Sequence, residues 1–197
     1  VTVDGTTPNY ASLITNNHIS RISGDGYANE GIYIIDNARN TKVSGNWISG
    51  YLVCVYFGYG TATTLQSNSM ISDNNIETQD SVSAKGIYVA GQNGSQGGVS
   101  IKGNRITAPS GVAIDLANLR RMTLSGNDIH TGLHGVVLTA VTDTQIIGNT
   151  CRLTSGNGVR LVGATSNIDL RGNDLQDTSK GVLFVDVSTV WPSNVRI

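Results

Sequence analysis

Residues 99–106 read VSIKGNRI, and residues 122–129 read MTLSGNDI. Each sets an apolar residue, a spacer, Gly-Asn, a second spacer and another apolar residue in the same order, and the phrase recurs along the chain. It appears as ITNNHI ending at Ile19, VSGNWI at Ile48, ISDNNI at Ile76, IIGNTC at Cys151 and LRGNDL at Leu175. The aligned asparagines, Asn17, Asn46, Asn74, Asn104, Asn127, Asn149 and Asn173, are separated by 29, 28, 30, 23, 22 and 24 residues. A second phrase, glycine followed by apolar, any, apolar, falls between them: GIYI from Gly31, GIYV from Gly86, GVAI from Gly111, GVVL from Gly135, GVRL from Gly158 and GVLF from Gly181. In the remaining repeat CVYF puts Cys54 in the glycine's place.

Each unit holds short stretches of period-2 alternation separated by turns, and none is long enough to bury a face alone. Helical spacing of apolar residues is absent over any useful window. Units of this kind become stable by stacking, each laying its strands over those of the unit before, which makes an all-β parallel solenoid. At about 4.8 Å between paired strands, seven to eight coils make a rod about 35 Å long. The repeated Asn is expected to supply the left-handed backbone of a tight corner and to hydrogen-bond its amide to the Asn of the next coil. That is a scaffold role, and no chemistry is assigned to these residues.

Composition agrees and excludes several classes of function. Glycine is abundant at 24 of 197 residues and proline scarce at 3, the balance of a turn-dense β-protein. Thirteen basic against fourteen acidic residues leave no field to attract nucleic acid, and no apolar run is long enough for membrane insertion. His18, His130 and His134 show no metal-ligand spacing, so no metal and no cofactor is expected. Cys54 and Cys151 lie too many coils apart for a disulfide and are expected to be small buried fillers. Trp47, directly after its ladder asparagine, is expected to face outward.

The combination of GIYI with VSGNWI resembles the right-handed parallel β-helix of the pectate lyase-like superfamily, over nearly the whole chain from about residue 11. The resemblance implies a right-handed, single-stranded parallel β-helix of about seven to eight coils filling 1–197, with glycans lying along the sheet that carries GIYI. The motifs of polygalacturonases, uronan epimerases and pectate lyases are missing, which leaves the character of bacteriophage tailspikes. On that likeness the expected function is binding and depolymerisation, by hydrolysis or lysis, of a bacterial surface or extracellular polysaccharide. The expected setting is extracellular or on a virion surface, and the expected assembly a homotrimer. The alternative is a non-catalytic stalk or glycan-binding module. The opening Val1 and the final NVRI, which reads as the start of another strand, lead to the expectation of a piece of a longer protein.

Within this frame the first half is the expected site. Repeats before Asn104 exceed those after it by several residues, and all seven tyrosines lie in the first 88 residues. Alternation turns Tyr33, Tyr56 and Tyr88 outward in a column about 5 Å apart, a surface suited to sugar rings. Tyr27, Tyr59, Asp25 and Lys85 flank it and join the candidate binding residues. Downstream the column is expected to continue through Ala113, Val137, Arg160 and Leu183 as an apolar strip that a partner subunit could cover. Candidate catalytic acids are Glu30, entering the strand of Tyr33, and Glu77 and Asp80, on the loop leading into the strand of Tyr88 about two coils away. That separation, close to 10 Å, is near the limit for an inverting pair. Asp36, at the far end of the Tyr33 strand, is a fourth candidate. It is expected to share a slot with Asp115, about 14 Å away and too distant to pair with it. Lys85 and Arg160 could serve a lyase or hold uronic acids.

Overall fold

The computed structural model describes residues 1–4, 11–21, 29–35, 40–58, 68–91, 96–153, 155–176, 180–185 and 192–197. Among these there is no helix, and every strand pairing is parallel. The strands form three sheets of eight, ten and seven strands, visited in turn, and the windings that hold Gln96–Gly97 and Leu119–Arg120 each contribute two strands to the second sheet. The first sheet runs through Glu30–Ile35, Val53–Gly58, Lys85–Ala90, Val112–Ala117, His134–Thr139, Asn157–Val162 and Lys180–Val185. Lys42–Ser44 and Ser100–Lys102 belong to the second sheet, and Trp47–Tyr51, Asn75–Thr78 and Arg105–Ala108 to the third. Between Asn17 and Asn173 the chain completes six turns, and the flanking strands extend the solenoid at both ends.

The core is a set of columns in which each winding drops an apolar side chain onto the one below. Ile48, Ile76, Ile106, Ile129 and Cys151 are in register in the third sheet; Ile34, Phe57, Val89, Leu116, Leu138 and Leu161 are in register in the first. All of these are buried. Complete burial of one such aliphatic side chain stabilises by about 1.5–3 kcal/mol, and no single winding could bury its own without neighbours.

The asparagine ladder is present, with one correction. Asn46 Nδ2 donates to Asn74 Oδ1 at 3.0 Å, Asn74 to Asn104 at 2.9 Å, Asn104 to Asn127 at 3.0 Å and Asn127 to Asn149 at 2.8 Å. The left-handed backbone, however, belongs to the residue before each ladder asparagine. Asn16, Gly45, Asp73, Gly103, Gly126, Gly148 and Gly172 all have φ between 56° and 66°. The labour divides because an amide that must face the core interior and meet the next corner cannot also occupy the residue that reverses the chain. Cys54 and Cys151 are free and buried, and burial pushes both thiols up to about 12. Trp47 is 51% exposed, facing outward as expected.

Candidate functional site

Strand alternation places Tyr33, Tyr56 and Tyr88 in register on the outer face of the first sheet. Their rings stack at centroid separations of 5.0 and 5.1 Å, with interplanar angles of 17° in both pairs. The rings lean along the strands: a Cβ on Gly58 would come within 2.5 Å of Tyr56 Cζ, so that glycine clears the bed on which Tyr56 lies. The geometry refines the expectation from sequence. Both faces of Tyr56 are occupied by its neighbours, so what the column offers outward is a row of ring edges and hydroxyls rather than open faces. Burial first, then Tyr88, Tyr33 and Glu30, raise the Tyr56 phenol above its ordinary value, so its hydroxyl stays neutral and can both donate and accept.

Lys85 closes one end of this stack. Its Nζ lies 3.6 Å from the Tyr88 ring centroid and 2.6 Å from Asp115 Oδ2. Because Tyr56 fills the other side of Tyr88, the ammonium must cap the side facing Asp115, a cation–π contact backed by an ion pair. Beside the rings, Glu30, Val53, Lys85, Tyr56 and Tyr88 enclose a depression of about 240 Å³. Glu30, Val53 and Lys85 are in register on successive windings, so Val53 lies between Glu30 and Lys85, whose backbones are about 10 Å apart along the axis.

The column downstream differs from the expected one. Tyr88 is in register with Asp115, and the column continues through Val137, Arg160 and Leu183. Ala113 is instead in register with Gly86, between two paired positions, and is wholly buried. Asp115 therefore shares its slot with Tyr33, not with Asp36, and the strip carries charge where an apolar one was expected. Next to it the Glu30 column continues through Val112, His134 and Asn157. Arg160 Nη1 lies 3.3 Å from His134 Nε2, and Asn157 Nδ2 lies 3.1 Å from His134 Nδ1. His134 is lowered below its ordinary value by burial and then by Arg160, against smaller opposing pulls from Asp115 and from a hydrogen bond to the Leu133 backbone.

The remaining candidates are dispersed. Glu77 is not on a loop but inside the strand Asn75–Thr78 of the third sheet, exposed and in register with Ser49 and Thr107, so it faces away from Glu30. Asp80 is exposed and accepts a hydrogen bond from Ser110 Oγ. Asp25, Tyr27, Asp36 and Tyr59 lie outside the described residues. Of the three candidate acids among the described residues, Glu30 alone lines the depression. Asp115 and His134 were missed as site members, and distance from the ladder could not separate Asp115 from Ala113. Ala113 comes nine residues after Asn104, while Tyr56, Val137 and Leu183 each come ten after their own asparagines and Asp115 comes eleven.

Residues 53–197 match the model of the right-handed β-helix region. The chain belongs to the right-handed β-helix family. Among solved structures, it is similar to the periplasmic alginate epimerase AlgG, with a TM-score of 0.56 at 14% identity over 84% of this chain and 35% of that one. It is also similar to the DFA-IIIase of Arthrobacter chlorophenolicus A6 without its lid, with a TM-score of 0.53 at 13% identity over 91% of this chain and 61% of that one. Tailspike protein 2 of the Escherichia coli O157:H7 bacteriophage CAB120 aligns with a TM-score of 0.49 at 15% identity over 93% of this chain and 24% of that one. This β-helix thus spans about a third of the epimerase and under two thirds of the DFA-IIIase. At such identities the likeness is one of chain winding alone. No curated protein matches the sequence.

Proposed function

We propose that this β-helix binds a polysaccharide along the outer face of its first sheet. The observation that carries the reading is the row of Tyr33, Tyr56 and Tyr88, stacked at 5.0 and 5.1 Å along the solenoid axis and opening sideways onto the Glu30–Lys85 depression. A row of identical groups at one repeat suits a ligand that repeats too, and the step is commensurate with one pyranose unit of an extended glycan. Ring edges carry partial positive charge and phenols both donate and accept, so the row meets sugar oxygens along its length. The alginate epimerase and the DFA-IIIase, whose names state sugar substrates, support the reading as relatives in fold.

A second reading, cleavage of the bound chain, is favoured by Glu30 standing across Val53 from Lys85. There the Glu30 carboxylate can take or give a proton, while the Lys85 ammonium is held against Tyr88 and Asp115. Glu30 and Asp115 are three windings apart, more than about 14 Å by strand spacing, so the described residues on this face do not form a hydrolytic carboxylate pair, and Glu77 and Asp80 sit elsewhere. The extracellular or virion-surface setting and the trimer are part of the proposal through the resemblance; with Asp115 and Arg160 in the strip, no apolar face argues for a partner.

Incubation with a panel of bacterial capsular and O-antigen polysaccharides tests both readings. Binding by at least one member, weakened about tenfold or more by Tyr56→Ala, is expected. Products from the native chain that disappear in Glu30→Gln while binding persists establish cleavage. Binding without products leaves a glycan-binding module, and no binding across the panel rejects the proposal.

A further inference from the structure

Glu30 and Lys85 line the same depression, yet only one of the two is paired. Lys85 Nζ lies 2.6 Å from Asp115 Oδ2 and 3.6 Å from the Tyr88 ring centroid. Asp115 stands one winding beyond Lys85, whereas Glu30 stands two windings before it, so the ammonium is drawn away from Glu30. Glu30 is half-buried and forms no ion pair among the described residues. The other outward residues of these three strands are the tyrosines, Val53, Ile35, Gly58 and Ala90, none of which is charged. The next cation along the Tyr88 column, Arg160, is three windings from Tyr88 and lies against His134. Among the described residues the tyrosine row is therefore bordered by one uncompensated carboxylate and by no free cation.

We propose that Glu30 sets the specificity of this face, selecting a glycan that presents an amino sugar with a free ammonium to the depression and turning uronic acids away. The inference rests on the polysaccharide reading above. A carboxylate accepts hydrogen bonds and offers none, so its match on a sugar is a donor. An ammonium donates and also neutralises, which a hydroxyl does not, and a half-buried position strengthens that attraction. N-acetylation removes the charge, and a uronate reverses it. A polyuronate would bring a carboxylate with every unit and meet Glu30 with no unpaired cation along the row, a like-charge contact that disfavours binding. The depression of about 240 Å³ gives one sugar unit room beside the edges of Tyr56 and Tyr88, with Val53 against its apolar side.

Side-chain NMR of the whole chain tests this, with the methyl glycosides of glucosamine, N-acetylglucosamine, glucose and glucuronic acid, and methylammonium chloride, as separate probes. The glucosaminide should move the Glu30 carboxyl and Tyr56 ring signals saturably, about tenfold more tightly than the glucoside or the N-acetyl form, and the glucuronoside should bind more weakly than the glucoside. Glu30→Gln should bring the glucosaminide down to the level of the glucoside, with thermal unfolding confirming the fold. Asp115→Asn, which releases Lys85, should raise affinity for the glucuronoside severalfold. A glucosaminide no tighter than the glucoside, an unchanged preference in Glu30→Gln, a glucuronoside as tight as the glucoside in the native chain, or no gain for it in Asp115→Asn overturns the proposal. Methylammonium binding as tightly as the glucosaminide overturns the sugar assignment in favour of a plain cation site. If polysaccharide binding depends on Tyr56 while Glu30→Gln leaves the choice among polysaccharides unchanged, the specificity falls and the glycan reading stands; if the glucosaminide binds as expected but no polysaccharide does, the reverse holds.

Discussion

Lys85 Nζ and Asp115 Oδ2 are 2.6 Å apart, joining two successive windings across the end of the tyrosine stack. The pair is only partly solvated, with side-chain exposures of 27% and 16%. Asp115→Asn should therefore cost about 1 kcal/mol, at the upper end for an exposed pair. It also frees Lys85 to leave Tyr88 and uncover that ring face. Urea denaturation reads the first effect as a lower midpoint with unchanged slope, and glycan affinity reads the second.

The ladder should weaken steeply from middle to end. Asn104 accepts from the Asn74 backbone and side chain and donates to Ile71, Lys102 and Asn127, all within 3.2 Å. Asn104→Ala orphans several buried groups on three windings and should cost about 3–5 kcal/mol. Asn17 stands exposed at the end of the ladder, so Asn17→Ala should cost under about 1 kcal/mol. Equal losses at the two positions, measured by chemical denaturation, would contradict an internal ladder.

Two kinds of glycine should respond oppositely to substitution. At Gly126 a Cβ meets nothing within 4 Å, and the backbone φ is +60°. Since Asn16 and Asp73 hold the same corner at φ 56°, Gly126→Asn should be nearly neutral, whereas a β-branched Val should cost more than about 1 kcal/mol. Gly111 has no such φ, but a Cβ there would sit 2.2 Å from the Ala84 carbonyl oxygen, so even Gly111→Ala should destabilise markedly. Melting temperatures of the three variants check this.

His134 makes stability depend on pH in a known sense. Its folded pKa lies below the ordinary value, so the unfolded chain takes up a proton more readily than the folded one. The contribution is complete above about pH 6.5, the unfolded value, and is lost as pH falls from there toward the folded pKa. His134→Gln should flatten the fall in denaturation midpoint between about pH 6.5 and 5, before the carboxylates titrate. A fall of the same steepness in the variant would assign it to other groups.

The winding, the outward tyrosines, the ladder and the buried cysteines were legible because each repeats, and a repeated residue has only one place in a stacked coil. The register of a single irregular unit was less so. GVAI from Gly111 fits the motif, yet the strand is Val112–Ala117, with Ala113, Ile114 and Leu116 buried and Asp115 turned outward. A two-residue slip preserves the alternation between core and solvent faces, so hydrophobic pattern alone could not detect it, and Ala113 and Asp115 lie nine and eleven residues from Asn104, equally far from the ten of Tyr56 and Val137. Glu77 was misplaced for a related reason, since the strand after the ladder corner in that repeat extends to Thr78. The Arg160–His134 contact was beyond reach, because it joins neighbouring columns on different windings and leaves no trace in spacing along the chain.

The most direct test is a crystal structure of the chain with an oligosaccharide from whichever polysaccharide it binds. The expected result is sugar lying parallel to the solenoid axis, with successive units against the edges of Tyr33, Tyr56 and Tyr88. Sugar seated on the second or third sheet, with that row left bare, would contradict the placement of function on the first sheet.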